Sequence, residues 1–219
     1  MFFFLKSLSR SVHDEEQHHQ ESEIKITTDG IGTCTSLTVW RKSLIINCSG
    51  FTVINSHGDL AYRVDNYIAH PDELILMDGS GKSILTMHRH KKLGLGESWL
   101  IYEGEMGECC PRTKLSKKPI WSVKKHIQIL KANQNNVLAY VFRGTIDRKR
   151  HSYVIEGSYA HRSCKVLDES RRVVAEIKRK EAKTGGVSFG IEVFALIVQP
   201  GFDPGFAMAL VLILDQMFS

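Results

Sequence analysis

The segment from Asp203 to Phe218 limits the fold more than any other part of the chain. Asp203-Pro204 marks a helix start, because Asp accepts a hydrogen bond at the N-cap and Pro presets φ at the first helical position. From Phe206 to Leu214 no residue is polar. A helix that is apolar all round needs apolar surroundings on every side, either lipid or protein. Length decides between them. Pro204–Phe218 is fifteen residues, about 22 Å of helix, whereas a bilayer span needs ~20 apolar residues. Asp215 interrupts the run near its end, and no Lys or Arg follows it. The segment is therefore expected to be a buried core helix and not a transmembrane segment, and Asp215→Asn is expected to be mild if that end of the helix reaches the mouth of what encloses it.

The rest of the chain supplies strands. From Ser36 onward, short β-branched or aromatic runs recur, broken by Gly, Asn, Asp and Ser. About twelve such runs can be counted, from Leu37–Arg41 and Phe51–Asn55 to Arg172–Arg179 and Glu192–Gln199. Leu60, Tyr62 and Val64 alternate with Ala61 and Arg63, as a sheet with one wet face requires. Three hairpins repeat a pattern at Asn55-Ser56-His57-Gly58, Asp78-Gly79-Ser80-Gly81 and Asp168-Glu169-Ser170-Arg171. The Asn or Asp bonds the backbone ahead of it, and Gly supplies positive φ. Arg171 replaces Gly in the third, so that turn is expected to differ in type. About twelve strands and one all-round apolar helix predict an all-β fold, a roughly 12-stranded β-barrel enclosing the hydrophobic C-terminal α-helix. Closure would also remove the sheet edges. Residues 1–34 read as a flexible leader and residues 35–219 as the barrel domain.

Several blocks, in order, resemble a known family. They include Leu37-Thr38-Val39-Trp40-Arg41-Lys42-Ser43, Gly50-Phe51-Thr52-Val53, Tyr62-Arg63-Val64-Asp65-Asn66-Tyr67 and Trp99-Leu100-Ile101-Tyr102-Glu103-Gly104. Ile155-Glu156-Gly157-Ser158-Tyr159, Ala175-Glu176-Ile177-Lys178-Arg179-Lys180, Val198-Gln199-Pro200-Gly201 and the block from Asp203-Pro204 to Asp215-Gln216-Met217 follow. Together they resemble the plant LURP-one-related (LOR) family across roughly residues 35–219. The resemblance implies a tubby C-terminal-like barrel around a hydrophobic helix. It also implies kinship with tubby proteins and phospholipid scramblases, and a link to pathogen defence in some members. It brings no catalytic residues to carry over.

Chemistry-bearing motifs are sparse. Gly81-Lys82-Ser83 ends like a P-loop, but Leu76 stands where the earlier glycine belongs and a strand follows, so it reads as a hairpin turn. His88 and His90 share a strand face without a third ligand at diagnostic spacing, so no metal is expected. There is no H-E-x-x-H or G-x-S-x-G. The cysteines are Cys34, Cys48, Cys109, Cys110 and Cys164. They form no C-x-x-C, are odd in number and suit a reducing compartment. No cofactor, catalytic residue or enzymatic activity is expected.

Charge gives the main functional signal. The net charge is +5 and the pI ≈ 8.9, which favours anionic partners. The basic clusters name the candidate anion-binding residues: Arg89, Lys91 and Lys92; Arg148, Lys149 and Arg150; Lys178, Arg179 and Lys180. Almost no aromatics interleave with them, so lipid phosphates fit better than the stacked bases of single-stranded nucleic acid. The leading expectation is a non-enzymatic interaction module binding anionic phospholipid, a phosphoinositide membrane surface in particular, in signalling or defence. A nuclear regulator binding protein or DNA, and a scramblase-like activity, are the alternatives. A cytoplasmic protein, peripheral on membranes or nuclear, fits these readings.

Overall fold

The computed structural model describes residues 32–46, 48–65, 72–91, 96–105, 118–127, 136–146, 150–180 and 190–219. Twelve strands precede one helix: β1 (Thr35–Trp40), β2 (Phe51–Ile54), β3 (Leu60–Val64), β4 (Glu73–Asp78), β5 (Ser83–Lys91), β6 (Glu97–Glu103), β7 (Trp121–Lys125), β8 (Val137–Arg143), β9 (Tyr153–Ser158), β10 (Ser163–Asp168), β11 (Val173–Arg179), β12 (Val193–Val198) and α1 (Pro204–Phe218). Each strand pairs antiparallel with its neighbours in sequence, and β1 also pairs with β12 through Leu37↔Leu196 and Val39↔Phe194. The sheet is thus a closed up-and-down barrel, which leaves no strand edge open to another chain.

Alternation along each strand selects the residues that point inward. Leu37 and Val39, Phe51 and Val53, Trp99 and Ile101, and Ala175 and Ile177 are all buried. They join ten buried apolar residues of α1, from Phe206 to Met217, in one core. The helix is buried on every face because the sheet surrounds it. Its own sequence begins it: the Asp203 carboxylate accepts a bond from Phe206 N–H at 2.6 Å, satisfying one of the amide groups a helix start leaves unpaired.

Because neighbours are antiparallel throughout, odd strands run one way and even strands the other. β12 delivers the chain to the end where odd strands begin, and α1 starts there; this is the entry end. The helix finishes where odd strands finish, at the exit end. Near the entry end Trp121 stacks on Phe206 at 4.7 Å between ring centroids, with Tyr153 and Phe202 beside them.

The three recurring hairpins lie at the entry end and share one geometry. The leading side chain accepts two backbone N–H bonds in each: Asn55 from His57 and Asp59, Asp78 from Ser80 and Lys82, and Asp168 from Ser170 and Arg172. A register shift precedes each turn at the same offset, at Val53/Ile54, Leu76/Met77 and Val166/Leu167. The third turn does not differ in type. Arg171 takes φ 64, in the same left-handed region as Gly58 at 92 and Gly81 at 89. Its guanidinium grips both oxygens of Glu156, at 2.6 and 3.1 Å, so the strained backbone is held where glycine would be free to adopt it.

Candidate functional site

The exit end is built around the helix C-terminus, whose last carbonyls carry partial negative charge. Lys125, at the end of β7, donates to the Met217 carbonyl and lies over the Phe218 ring. One turn back, the Asp215 side chain is fully buried. The condition for a mild Asp215→Asn, that this end of the helix opens at the mouth, is therefore not met at Asp215. Strands and turns supply its partners. Arg41 bonds Oδ2 at 3.2 Å from both Nε and Nη2. Tyr159 donates its hydroxyl to Oδ1 at 3.0 Å, and Arg162 Nη1 stands 3.9 Å away. Arg162 is itself sandwiched against the Tyr159 and Phe194 rings and donates from Nε to the Ile191 carbonyl. Burial, and then the Asp215 carboxylate, push the Tyr159 hydroxyl well above its ordinary pKa.

The candidate basic residues divide between the ends. Arg89 and Lys91 close β5, and Lys178, Arg179 and Lys180 close β11, so all five stand at the exit end. β5 and β11 lie six strands apart whichever way the ring is followed, so these two clusters face each other across the mouth. Arg150 sits in the β8–β9 connection at the entry end. Lys92, Arg148 and Lys149 lie outside the described residues. The described clusters therefore do not form one patch.

Local partners also separate them. Arg89 pairs with Glu97 at 2.7 Å, Lys91 with Asp72 at 3.0 Å and Arg150 with Glu169 at 2.8 Å. Lys178 meets Glu176 at 2.9 Å. Lys180 reaches across β12 to the Thr38 hydroxyl at 2.7 Å. Arg179 is exposed and makes no ion pair among the described residues. The same holds for Lys42, whose ammonium lies 5.1 Å from the Trp40 ring centroid. Lys42 and Arg179 thus flank the β11–β12–β1 wall without a close carboxylate pair among the described residues. A hollow of ≈ 290 Å³ at the entry end also holds cations, Arg143 and Arg172, but Asp168 and Glu169 line it with them.

Two other sequence signals lead elsewhere. His88 stands 3.4 Å from Glu73 and edge-on to Tyr102, and no group of metal-ligating side chains gathers among the described residues. Burial raises the Cys164 thiol to about 12, which suppresses the nucleophilic thiolate at neutral pH. Cys109 and Cys110 lie outside the described residues. No helix among the described residues is long and apolar enough to cross a membrane.

Charge clusters alone did not point to Lys42, Arg41, Arg162 or Tyr159. Arg41 and Lys42 stand beside Trp40 in a block that reads as strand, and Arg162 is an isolated cation in a turn. One local signal was present in the apolar triplet Leu44-Ile45-Ile46, which belongs to no strand.

With that geometry in view, a family model described as LURP-one-related matches residues 35–215. The chain belongs to the LURP-one-related family. Arabidopsis thaliana Protein LURP-one-related 17 is 52% identical over 224 residues, covering 100% of both chains. Protein LURP-one-related 8, also from Arabidopsis thaliana, is 48% identical and covers 83% of this chain and 86% of its own length. A crystal structure of an Arabidopsis thaliana protein, 25% identical, matches with a TM-score of 0.56 over 83% of this chain and 90% of that one. The family match takes in β1 to β12 and α1 as far as Asp215, so the closed barrel and nearly all of its helix fall within the LURP-one-related region.

Proposed function

We propose that this protein is a non-enzymatic binding module that docks its exit end on an anionic phospholipid surface, phosphoinositide headgroups included, as part of signalling or defence. The observation that carries this reading is the pair Lys42 and Arg179, exposed at the exit end of a rigid closed wall and free of close carboxylate pairing among the described residues. Cations already paired with carboxylates have less to gain from a phosphate, because the new contact must replace an existing one.

Vesicle co-sedimentation tests it. The full chain should bind phosphatidylcholine vesicles that contain anionic lipid and leave pure phosphatidylcholine vesicles unbound. Lys42→Glu/Arg179→Glu should weaken that binding by about 1 kcal/mol per residue reversed. Arg150→Glu, at the far end and already paired, should change it little. Equal losses from both variants would remove the exit end from the reading. Binding to duplex DNA but not to anionic vesicles would replace lipid with nucleic acid.

A further inference from the structure

Among the described residues, the exposed large apolar side chains stand almost entirely at one end of the barrel. They are Trp40, Leu44, Ile45, Ile46, Ile120, Ile127 and Ile191. Six of these stand at the exit end by their place in the topology; Ile120, just before β7, is the exception. Four belong to β1 and the β1–β2 connection, and Ile46 is 87% and Leu44 52% exposed. Ile191 lies next to them, because Arg41 N–H bonds the carbonyl of Glu192 at 2.9 Å.

A defined loop presents these side chains. Ser43 is 7% exposed; its hydroxyl donates to Asp65 at 2.7 Å and accepts from Ile45 N–H at 3.0 Å. Thr52 donates to the Lys42 carbonyl at 2.6 Å, and Cys48 N–H closes on the Ile45 carbonyl at 3.2 Å. Gly50 packs so closely on β3 that a Cβ there would meet the Val64 carbonyl oxygen at 1.9 Å. The base of the loop is fixed, so the outward placement of Leu44 and Ile46 is built in. A hollow of ≈ 490 Å³ runs along the loop from Trp40 to Cys48, with Lys42 among its lining residues.

The geometry points to the β1–β2 connection as a membrane-inserting loop. Leu44, Ile45 and Ile46 enter the headgroup–acyl boundary of an anionic bilayer, while Lys42 and Arg179 remain at the level of the phosphates. This inference rests on the anionic-surface reading above and adds to it the element that enters, its depth and the barrel's orientation. The occupant follows from charge. The apolar tips adjoin cations without close carboxylate partners, and Trp40 carries Lys42 against its ring at the same level. An indole prefers the boundary between water and hydrocarbon, and basic residues beside apolar ones favour anionic lipid.

Trp40 is a native probe of this placement. The chain has 3 Trp, and of the other two Trp99 is fully buried and Trp121 lies at the entry end. The experiment uses the full chain with phosphatidylcholine vesicles, with or without phosphatidylserine, and with lipids carrying a nitroxide below the headgroup. On the phosphatidylserine vesicles Trp40 emission should shift to the blue and be quenched. Ile45→Ser/Ile46→Ser should lose on the order of tenfold in vesicle affinity and keep the parent melting temperature, because both side chains are exposed. If the parent binds these vesicles without quenching and the double variant binds as well, insertion is overturned and the anionic-surface reading stands. If the parent does not bind them at all, both fall. A parent that sediments as a dimer, with a monomeric double variant that still binds vesicles, would show the loop to be a contact between copies and would overturn insertion.

Discussion

The two ends of the barrel close over the same helix with different chemistry. At the entry end Trp121, Tyr153, Phe202 and Phe206 stack over the first turn, and Asp203 caps it from within the same segment. At the exit end the last turn meets Lys125, Arg41, Arg162 and Tyr159, all from the surrounding sheet and its turns. A helix start offers N–H groups that a short side chain beside it can satisfy. A helix finish offers carbonyls that need donors, and this helix has no basic residue in its last turn. The barrel supplies them. One end can therefore be closed by apolar burial, while the other holds charge around a buried carboxylate, and six of the seven exposed large apolar side chains among the described residues lie at that charged end.

The largest effect should come from placing charge where neither end can answer it. Leu210 lies midway along α1 and is 1% exposed, with only apolar helix neighbours. Leu210→Asp would bury a carboxylate without the partners that Asp215 has. The lost burial and the uncompensated charge should cost several kcal/mol, against a total stability of ~5–15 kcal/mol. The variant should be insoluble or lack a cooperative melt. A melting temperature within a few degrees of the parent would end the helix-in-barrel account.

Deleting each closure separately compares the ends directly. Asp215→Ala leaves Arg162 buried without its carboxylate and Tyr159 without its acceptor, and should cost about 3–5 kcal/mol. Phe206→Ala removes a stacked ring and should cost about 3–5 kcal/mol. Denaturant melts of two double variants separate the mechanisms. Adding Tyr159→Phe to Asp215→Ala should cost much less than Tyr159→Phe alone, because the bond is already gone. Adding Tyr159→Phe to Phe206→Ala should cost its full amount. Additivity in both pairs would mean that the exit-end network is not a unit.

The smallest effect at neutral pH is also the most specific. The Tyr159 hydroxyl in the folded protein is held well above its ordinary value of 10.0, first by burial and then by Asp215. A raised pKa means that its contribution to stability is intact below the unfolded value and is lost as pH rises through the folded one. Tyr159→Phe loses the bond to Asp215, so its stability at pH 7 should fall by about 1–3 kcal/mol. Its decline above pH 10 should be shallower than that of the parent. Parallel declines in alkaline denaturant titrations would assign the pH dependence elsewhere, Tyr62 at the entry end included, whose hydroxyl is also raised by burial and by Asp203.

Much of this architecture could be read locally. The twelve strands lie where the β-branched runs placed them, because alternation is a property of neighbouring residues. The hairpin turns were readable from Asn55, Asp78 and Asp168 for the same reason. The third turn was misjudged because the Glu156 that holds Arg171 lies 15 residues away. The exit-end candidates were half readable. Runs of Lys and Arg show in a sequence, but the carboxylates that neutralise Arg89, Lys91 and Arg150 show only in space. Lys42 was not legible because it follows Trp40-Arg41 in a block that reads as strand.

The helix shows the division most clearly. Its start is a sequence property: Asp203 bonds an amide three residues ahead, and Pro204 fixes the first turn. Its apolar middle is another, since a run with no polar face must be enclosed. Its finish belongs to the tertiary structure. The groups that answer Met217 and Asp215 stand 92, 174 and 56 residues away at Lys125, Arg41 and Tyr159. Only closure of β12 onto β1 brings β1 to the helix end, so no local pattern could have named these partners. An orphaned amide can be met by the next side chain, whereas a buried carboxylate needs donors from every wall around it.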